Sequence, residues 1–383
     1  MRIVILDTGG PPADLKDQGQ ILGGLRDLGV DARLMLLNTP NLWADERFVA
    51  VEPSDSTNVN FWRKNQADII LFFSRLNPRY TKILETIKNS GKIVIIKADS
   101  DGTLGYPLAP NYLRTLKVSR QPIRWILSNI KWRLPIGHFV KQKIEQIQLA
   151  DAVILETPEA LANVAYVLHF WHRDNLINKL HFIPNPVTTD IVSAPLAGKT
   201  DTVISIGRWE DEGCKNTQVM LRAAADFLNV KKDYQYIIVG SGRDKILPFI
   251  QQLSPEISSR ITMSGAVSHQ QIPKLLVKSR IFLMPSNLES FGIAAAEALC
   301  MGCSVVGTPL ESFRYLTASG FSGTIARGFQ KTSIVNALIE DSIKWENGQY
   351  HHDEIANFWR KRSDRKKIVQ EILKIAGYFK NNA

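Results

Sequence analysis

Two successive series of short β-branched runs, each run separated from the next by a stretch of helical periodicity, constrain this chain more than any other feature. Strands buried on both faces read as near-continuous apolar runs, and strands alternating with helices give parallel sheets covered by helices. The first series has strand candidates at Arg2 to Asp7, Asp31 to Leu37, Ile69 to Phe73, Lys92 to Ile96, Ala152 to Glu156 and Leu180 to Ile183. The second has them at Thr202 to Gly207, Tyr236 to Gly240, Ile261 to Ser264, Ile281 to Pro285, Ser304 to Gly307 and Gly323 to Ala326. Between the series lies Ile183-Pro-Asn-Pro-Val187, where two prolines disfavour helix and suit a stiff crossing between domains. A length of 383 residues agrees, because single cores stop growing at about 250 to 300 residues. The expected division is a first domain over 1–185, a second over 186–352, and a tail over 353–383. The tail reads as one long helix, with Ile368, Ile372, Ile375 and Phe379 on a stripe that packs back toward the first domain.

Composition removes several classes. The three cysteines, Cys214, Cys300 and Cys303, are an odd count and too few for a disulfide framework. Cys300 and Cys303 form a CxxC, but no second CxxC or HxxxH accompanies it, so no metal site is expected. No apolar run approaches the ~18 residues that span a bilayer, and Met1 leads straight into a strand-like run, so a cytoplasmic protein is expected. A formal charge of +10 favours an acidic partner: nucleic acid, an anionic membrane surface or a phosphorylated ligand. No RRM, zinc-finger or helix-turn-helix signature is present, which argues against nucleic acid.

The stretch Pro285-Ser-Asn-Leu-Glu-Ser-Phe-Gly-Ile-Ala-Ala-Ala-Glu-Ala-Leu-Cys-Met-Gly302 joins a strand end, a short loop and a helix expected to open near Ser290. Free amides and the positive dipole end at such a start suit a diphosphate. Glu289 stands before the helix and Glu297 about two turns inside it, spaced to address two parts of one elongated ligand. Taken alone, the two could equally be a helix-capping carboxylate and a solvent-face residue. Further upstream, Gly207-Arg208-Trp209 and Lys215-Asn216 place two cations on a strand-to-helix loop, where they suit a diphosphate whose charge grows as a sugar bond breaks. Isolated, they would be surface charges.

Together the two stretches resemble the donor-binding motifs of glycosyltransferase family 4, over about a quarter to a third of the chain, from Val203 to Thr308. Val239-Gly240-Ser-Gly242, Gly265 before His269 and Pro285-Ser286 follow in the family's order. The resemblance implies a GT-B fold, with two Rossmann-like α/β domains whose parallel sheets face a central cleft. It also implies a retaining, metal-independent hexosyltransferase that needs no cofactor beyond its nucleotide diphosphate sugar. In that family the first glutamate contacts the donor sugar and the following amides meet sugar and phosphate, while the second glutamate holds the ribose. Those roles fall on Glu289, on Ser290, Phe291, Gly292 and Ile293, and on Glu297. The cations Arg208 and Lys215, with Gly207, Gly240 and Gly242, would line the diphosphate. Asn216 stands where the family often has glycine.

In the first domain, Gly10 and Gly19 flank the first βα turn, either facing the donor phosphates as in the family or forming a plain loop. Many relatives carry a histidine after the strand at Lys92 to Ile96. This chain has Lys97-Ala-Asp-Ser-Asp-Gly102, where Asp99 and Asp101 could order the acceptor or donor hydroxyls, and Asp101-Gly102 could equally be a turn. Retention would route the acceptor proton to the leaving phosphate and require no protein base. From Asn111 to Ile144 there are eight Lys or Arg residues and no acidic residue. Arg124, Trp125, Lys131, Trp132 and Arg133 suit either a lipid or glycan acceptor at an anionic membrane surface, on the inner face, or a solvated basic face. Pro122 and Pro135 break any single long helix there. The alternative class is a GT-B protein that binds sugar nucleotides without catalysis. A phosphorylase-like reading would need a much longer chain.

Overall fold

The computed structural model describes residues 1–8, 16–37, 47–104 and 138–381, with the side chains at 138 and 378–381 left aside. Two compact units emerge. Of the described residues, those up to 186 and from 364 onward form unit 1, and 187–363 form unit 2.

Unit 1 is built on a seven-stranded sheet in the order β3-β2-β1-β4-β5-β6-β7. Its strands are β1 (Arg2–Asp7), β2 (Asp31–Leu37), β3 (Phe48–Val51), β4 (Ile69–Ser74), β5 (Ile93–Ala98), β6 (Ala152–Leu155) and β7 (Leu180–Phe182). All pairings are parallel. The period-2 alternation of strand side chains sorts the core into two layers. Val4, Leu6, Ile70, Phe72, Val94 and Ile96 face helices α2 (Thr81–Asn89), α3 (His138–Leu149) and α4 (Pro158–Phe170). Ile3, Ile5, Leu34, Leu36, Ile69 and Leu71 face the other way, onto α1 (Asp17–Asp27) and the chain's last helix. The four-residue β3 is not foreseen from the sequence. It holds only Phe48 to Val51, and Phe48 and Val51 are buried, so it shows too little alternation to read.

Unit 2 carries a six-stranded parallel sheet in the order β10-β9-β8-β11-β12-β13. The strands are β8 (Thr200–Arg208), β9 (Gln235–Ser241), β10 (Ile261–Gly265), β11 (Ser279–Met284), β12 (Ser304–Gly307) and β13 (Gly323–Ile325). Helices α5 (Thr217–Val230), α6 (Arg243–Ile250), α7 (Ile293–Cys300), α8 (Lys331–Glu346) and α9 (His352–Ser363) belong to the same unit. Cys300 and Cys303 are fully buried in this core, and burial pushes the Cys300 thiol up to about 12. The Cys303 thiol donates to Leu276 O at 3.2 Å and to Ser279 O at 3.1 Å.

The tail is two helices, which corrects the expectation of one. The break falls at Asp364, whose Oδ1 accepts from the amides of Lys366 and Lys367 and so caps α10 (Arg365–Asn381). Helix α9 packs in unit 2, with Trp359 donating from Nε1 to Ser322 Oγ at 3.0 Å. By contrast α10 belongs to unit 1, where Ile368, Val369 and Ile372 are buried. No helix among the described residues is long and apolar enough to cross a membrane.

Candidate functional site

In both sheets the strand order reverses beside the first strand of the series, between β1 and β4 and between β8 and β11. Open α/β sheets take ligands in the crevice at the carboxyl ends of strands flanking such a reversal. In unit 2 the segments leaving that point run from Gly207, at the end of β8, to Asn216 and from Pro285, after β11, to Gly292, the two stretches with the strongest sequence signals.

These loops are tied together. The Asn287 amide donates to Cys214 O at 2.8 Å, and Asn287 Nδ2 donates to Gly213 O at 3.3 Å. Asn216 is left-handed, with φ 56° and ψ 40°, a region that Asn enters more readily than most residues. Its Nδ2 donates to Pro285 O at 3.1 Å and Phe329 O at 3.3 Å. Asparagine thus supplies both a glycine-like turn and a side-chain brace. On this frame Lys215 Nζ donates to Glu289 Oε2 at 2.9 Å, with both side chains mostly shielded, at 14% and 16% exposure. Ser312 Oγ donates to Glu289 O at 3.3 Å and fixes the backbone there.

Helix α7 opens at Ile293, three residues later than the sequence signals place it, because Gly292 has φ 88° and does not continue a helix. Ser290 is half-buried, Phe291 and Gly292 are buried, and Ile293 is half-buried. Glu297 sits inside α7 among fully buried Ala295, Ala296, Ala298 and Leu299. A carboxylate placed there needs a partner. His269 Nε2 lies 3.2 Å from Glu297 Oε1. That hydrogen bond is the main cause raising the His269 pKa above its usual value, against the opposing effect of burial.

Gly207 and Gly240 are register partners at the ends of β8 and β9. Gly240 has φ 127°, and a Cβ on it would stand 1.8 Å from Gly207 O. Gly242 begins α6 at φ 86°. Exposed Arg208 ends β8 beside Ser241, whose hydroxyl donates to Glu210 Oε1 and Oε2 at 2.9 Å.

In unit 1, Asp99 follows β5 and accepts from Arg75 Nε at 2.8 Å. Asp101 Oδ1 accepts from the Thr103 amide at 3.0 Å and from its hydroxyl at 2.9 Å, while Gly102 has φ 78°; of the two readings, this stretch takes the turn. Gly19 is buried in the first turn of α1. Gly10, Arg124, Trp125, Lys131, Trp132 and Arg133 lie outside the described residues.

Sequence reasoning misses a buried group at the strand ends of unit 1. Lys97 Nζ donates to Asn185 Oδ1 at 2.6 Å and to Glu156 Oε1 at 3.1 Å, and Asn185 Nδ2 donates to the same oxygen at 2.9 Å. Lys97 is 0% exposed. Burial raises the Glu156 pKa, with Lys97 opposing. A lysine in a strand reads as an exposed residue, so nothing local signals this. His269 is also missed as a site residue. Its signals are a place among the family-ordered landmarks, after Gly265, and a position after a strand in the second series, where ligand-facing loops start. Among the described residues no three His, Cys, Asp or Glu side chains gather as a metal site.

Comparison with known proteins accords with this architecture. Two Rossmann-like units with these strand orders define the GT-B fold class. The chain superposes on sucrose-phosphate synthase from Thermosynechococcus elongatus with a TM-score of 0.69 at 14% identity, over 100% of both chains. It matches the Anabaena protein Alr3699/HepE in complex with UDP with a TM-score of 0.68 at 15% identity, over 99% and 100%. The sequence model described as glycosyl transferases group 1 matches residues 187–357. Among curated relatives, the phosphatidyl-myo-inositol mannosyltransferase of Mycobacterium leprae (strain TN) is 28% identical over 177 residues, 44% of this chain and 46% of that protein. The chain spans less than half the length of these curated relatives it matches.

Proposed function

We propose that this chain transfers a hexose from a nucleoside diphosphate sugar to an acceptor hydroxyl, with retention of configuration and unit 2 as the donor site. The observation that carries it is the Lys215–Glu289 pair at 2.9 Å, braced on two loops at the sheet's switch point, with Glu297 about one turn into the following helix. In this reading the Lys215 ammonium and Arg208 guanidinium meet the diphosphate as it leaves, where fixed positive charge offsets the charge that develops on it. Glu289 orients the sugar and is itself held by Lys215. The amides of Phe291, Gly292 and Ile293 offer donors beside it, and the two oxygens of Glu297 suit the ribose diol. The leaving phosphate accepts the acceptor proton on the same face, so neither a protein base nor a metal is invoked. Asp99 is a further candidate for ordering hydroxyls, from unit 1.

The basic run from Asn111 to Ile144 supports an acceptor that is a lipid or glycan near an anionic surface. Binding to vesicles containing anionic lipid is expected, falling with salt and with neutralisation of Arg124, Lys131 and Arg133. Equal partitioning of parent and variant would remove that part of the reading.

The replacement of a histidine by Lys97-Ala98-Asp99 favours one second reading, a sugar-nucleotide-binding protein without catalysis. Thermal-shift screening of UDP-, GDP- and ADP-sugars, followed by mass detection of products on lipid and soluble acceptors, separates the two. Donor binding without hydrolysis or transfer supports the second, and no binding of any sugar nucleotide overturns both.

A further inference from the structure

We propose that His269 is a positioning residue for the donor, holding one oxygen of Glu297 so that the other is free for a ribose diol, and that its charge tunes how tightly the nucleotide is held. This rests on the donor-site reading of unit 2 and adds to it a residue and a pH response.

Both ends of the contact are fixed. Glu297 belongs to an apolar helix, and its backbone carbonyl accepts from the Met301 amide at 3.1 Å. His269 opens a single 3-10 turn, His269–Gln271, after β10, where Ser268 and Gln271 bond reciprocally across the start. The imidazole uses Nε2 on Glu297 Oε1, while its Nδ1 is buried without a partner. A neutral ring therefore fits best with its proton on Nε2, donated to the carboxylate. An imidazolium strengthens that bond by joining opposite charges, at the cost of leaving its Nδ1–H buried without a partner. Glu297 Oε2 takes no hydrogen bond among the described residues and is left to a ligand.

The charged groups facing His269 are Glu297 from α7 and Asp190 from the short helix Thr189–Val192, and both favour the protonated ring. The midpoint therefore lies above that of a free histidine. A nucleoside diphosphate is a polyanion, so an imidazolium beside its ribose favours binding. By linkage, affinity falls as pH rises through the His269 midpoint, and bound nucleotide moves that midpoint further up.

The test is the dissociation constant of UDP, GDP and ADP, by calorimetry at pH 6.5, 7.5 and 8.5. The proteins are the parent, His269→Gln, His269→Ala and Glu297→Gln, each first checked for parent-like melting. The amide of His269→Gln keeps a neutral donor but cannot titrate. The parent is expected to lose about fivefold in affinity across the range, relative to His269→Gln, with the phosphate's own titration cancelling in the ratio. His269→Ala is expected to bind about tenfold more weakly than His269→Gln at every pH, because Glu297 loses its brace. If both histidine variants reproduce the parent's affinities and pH slope while Glu297→Gln binds weakly, this inference falls and the donor site stands. If the parent binds none of the three nucleotides, both fall.

Discussion

Lys215 and Glu289 each hold the other in place, and that mutual dependence shapes what their variants should do. Glu289→Ala removes the group that orients the sugar and is expected to lower turnover about 100-fold while changing nucleotide affinity little, as for an interaction made chiefly in the transition state. Glu297→Ala, remote from the sugar bond, is expected to weaken nucleotide binding about tenfold with a smaller effect on turnover. Steady-state kinetics and calorimetry on the pair check both, and unchanged values in both variants would remove the site assignment. Gly240 acts differently, because its constraint is steric. With φ 127° and a would-be Cβ 1.8 Å from Gly207 O, Gly240→Ala is expected to cost unit 2 about 3 kcal/mol or more. Chemical denaturation reads this directly, and a change below about 0.5 kcal/mol would contradict the geometry.

Among the elements, α1 and α10 approach closely within unit 1 because Gly24 has no side chain. A Cβ there would lie 2.8 Å from Val369 Cγ2 and 3.1 Å from Arg365 O. Arg365 also bonds Asp27, through Nε at 3.0 Å and a second nitrogen at 2.6 Å, fixing the start of α10 on the end of α1. Gly24→Leu should therefore push the helices apart and destabilise unit 1 by about 1–3 kcal/mol, seen as a lower melting temperature. An unchanged melting temperature would show that α10 is not packed this way. The apolar stripe of the tail is legible in the sequence, but its division is not. Asp364 caps a new helix only because Trp359 and Ile368 belong to different cores. Helix α7 likewise shows its period plainly, and its true start depends on the left-handed Gly292.

At the scale of the whole chain, a net charge of +10 says what partners to expect and little about what the two units bury. Unit 2 buries Asp341, which accepts from Thr324 Oγ1 at 2.7 Å, from the Tyr350 hydroxyl at 2.9 Å and from the Ser304 hydroxyl. Burial raises its pKa to about 6, with those hydrogen bonds opposing. The native state then holds a proton that the unfolded state releases above about pH 4, so this group's contribution falls as pH rises from about 4 to 6. Asp341→Asn removes the proton exchange. The stability difference between parent and Asp341→Asn should therefore shift against the parent over that window, measured by denaturation at each pH. A difference independent of pH would show that Asp341 does not titrate there.

Alternating strand and helix patterns, with Pro184 and Pro186 between the two series, carry the α/β class and most of the strands, because burial of both sheet faces writes itself locally as apolar runs. The stretches Gly207 to Asn216 and Pro285 to Gly302 are likewise legible, since their order and spacing are properties of the chain alone. Pairing is different. That Lys215 meets Glu289 across 74 positions, that His269 braces Glu297, and that Lys97, Glu156 and Asn185 share a buried corner depends on which strands lie side by side. Such contacts are set by the packing of whole layers, and only the folded sheet order decides them.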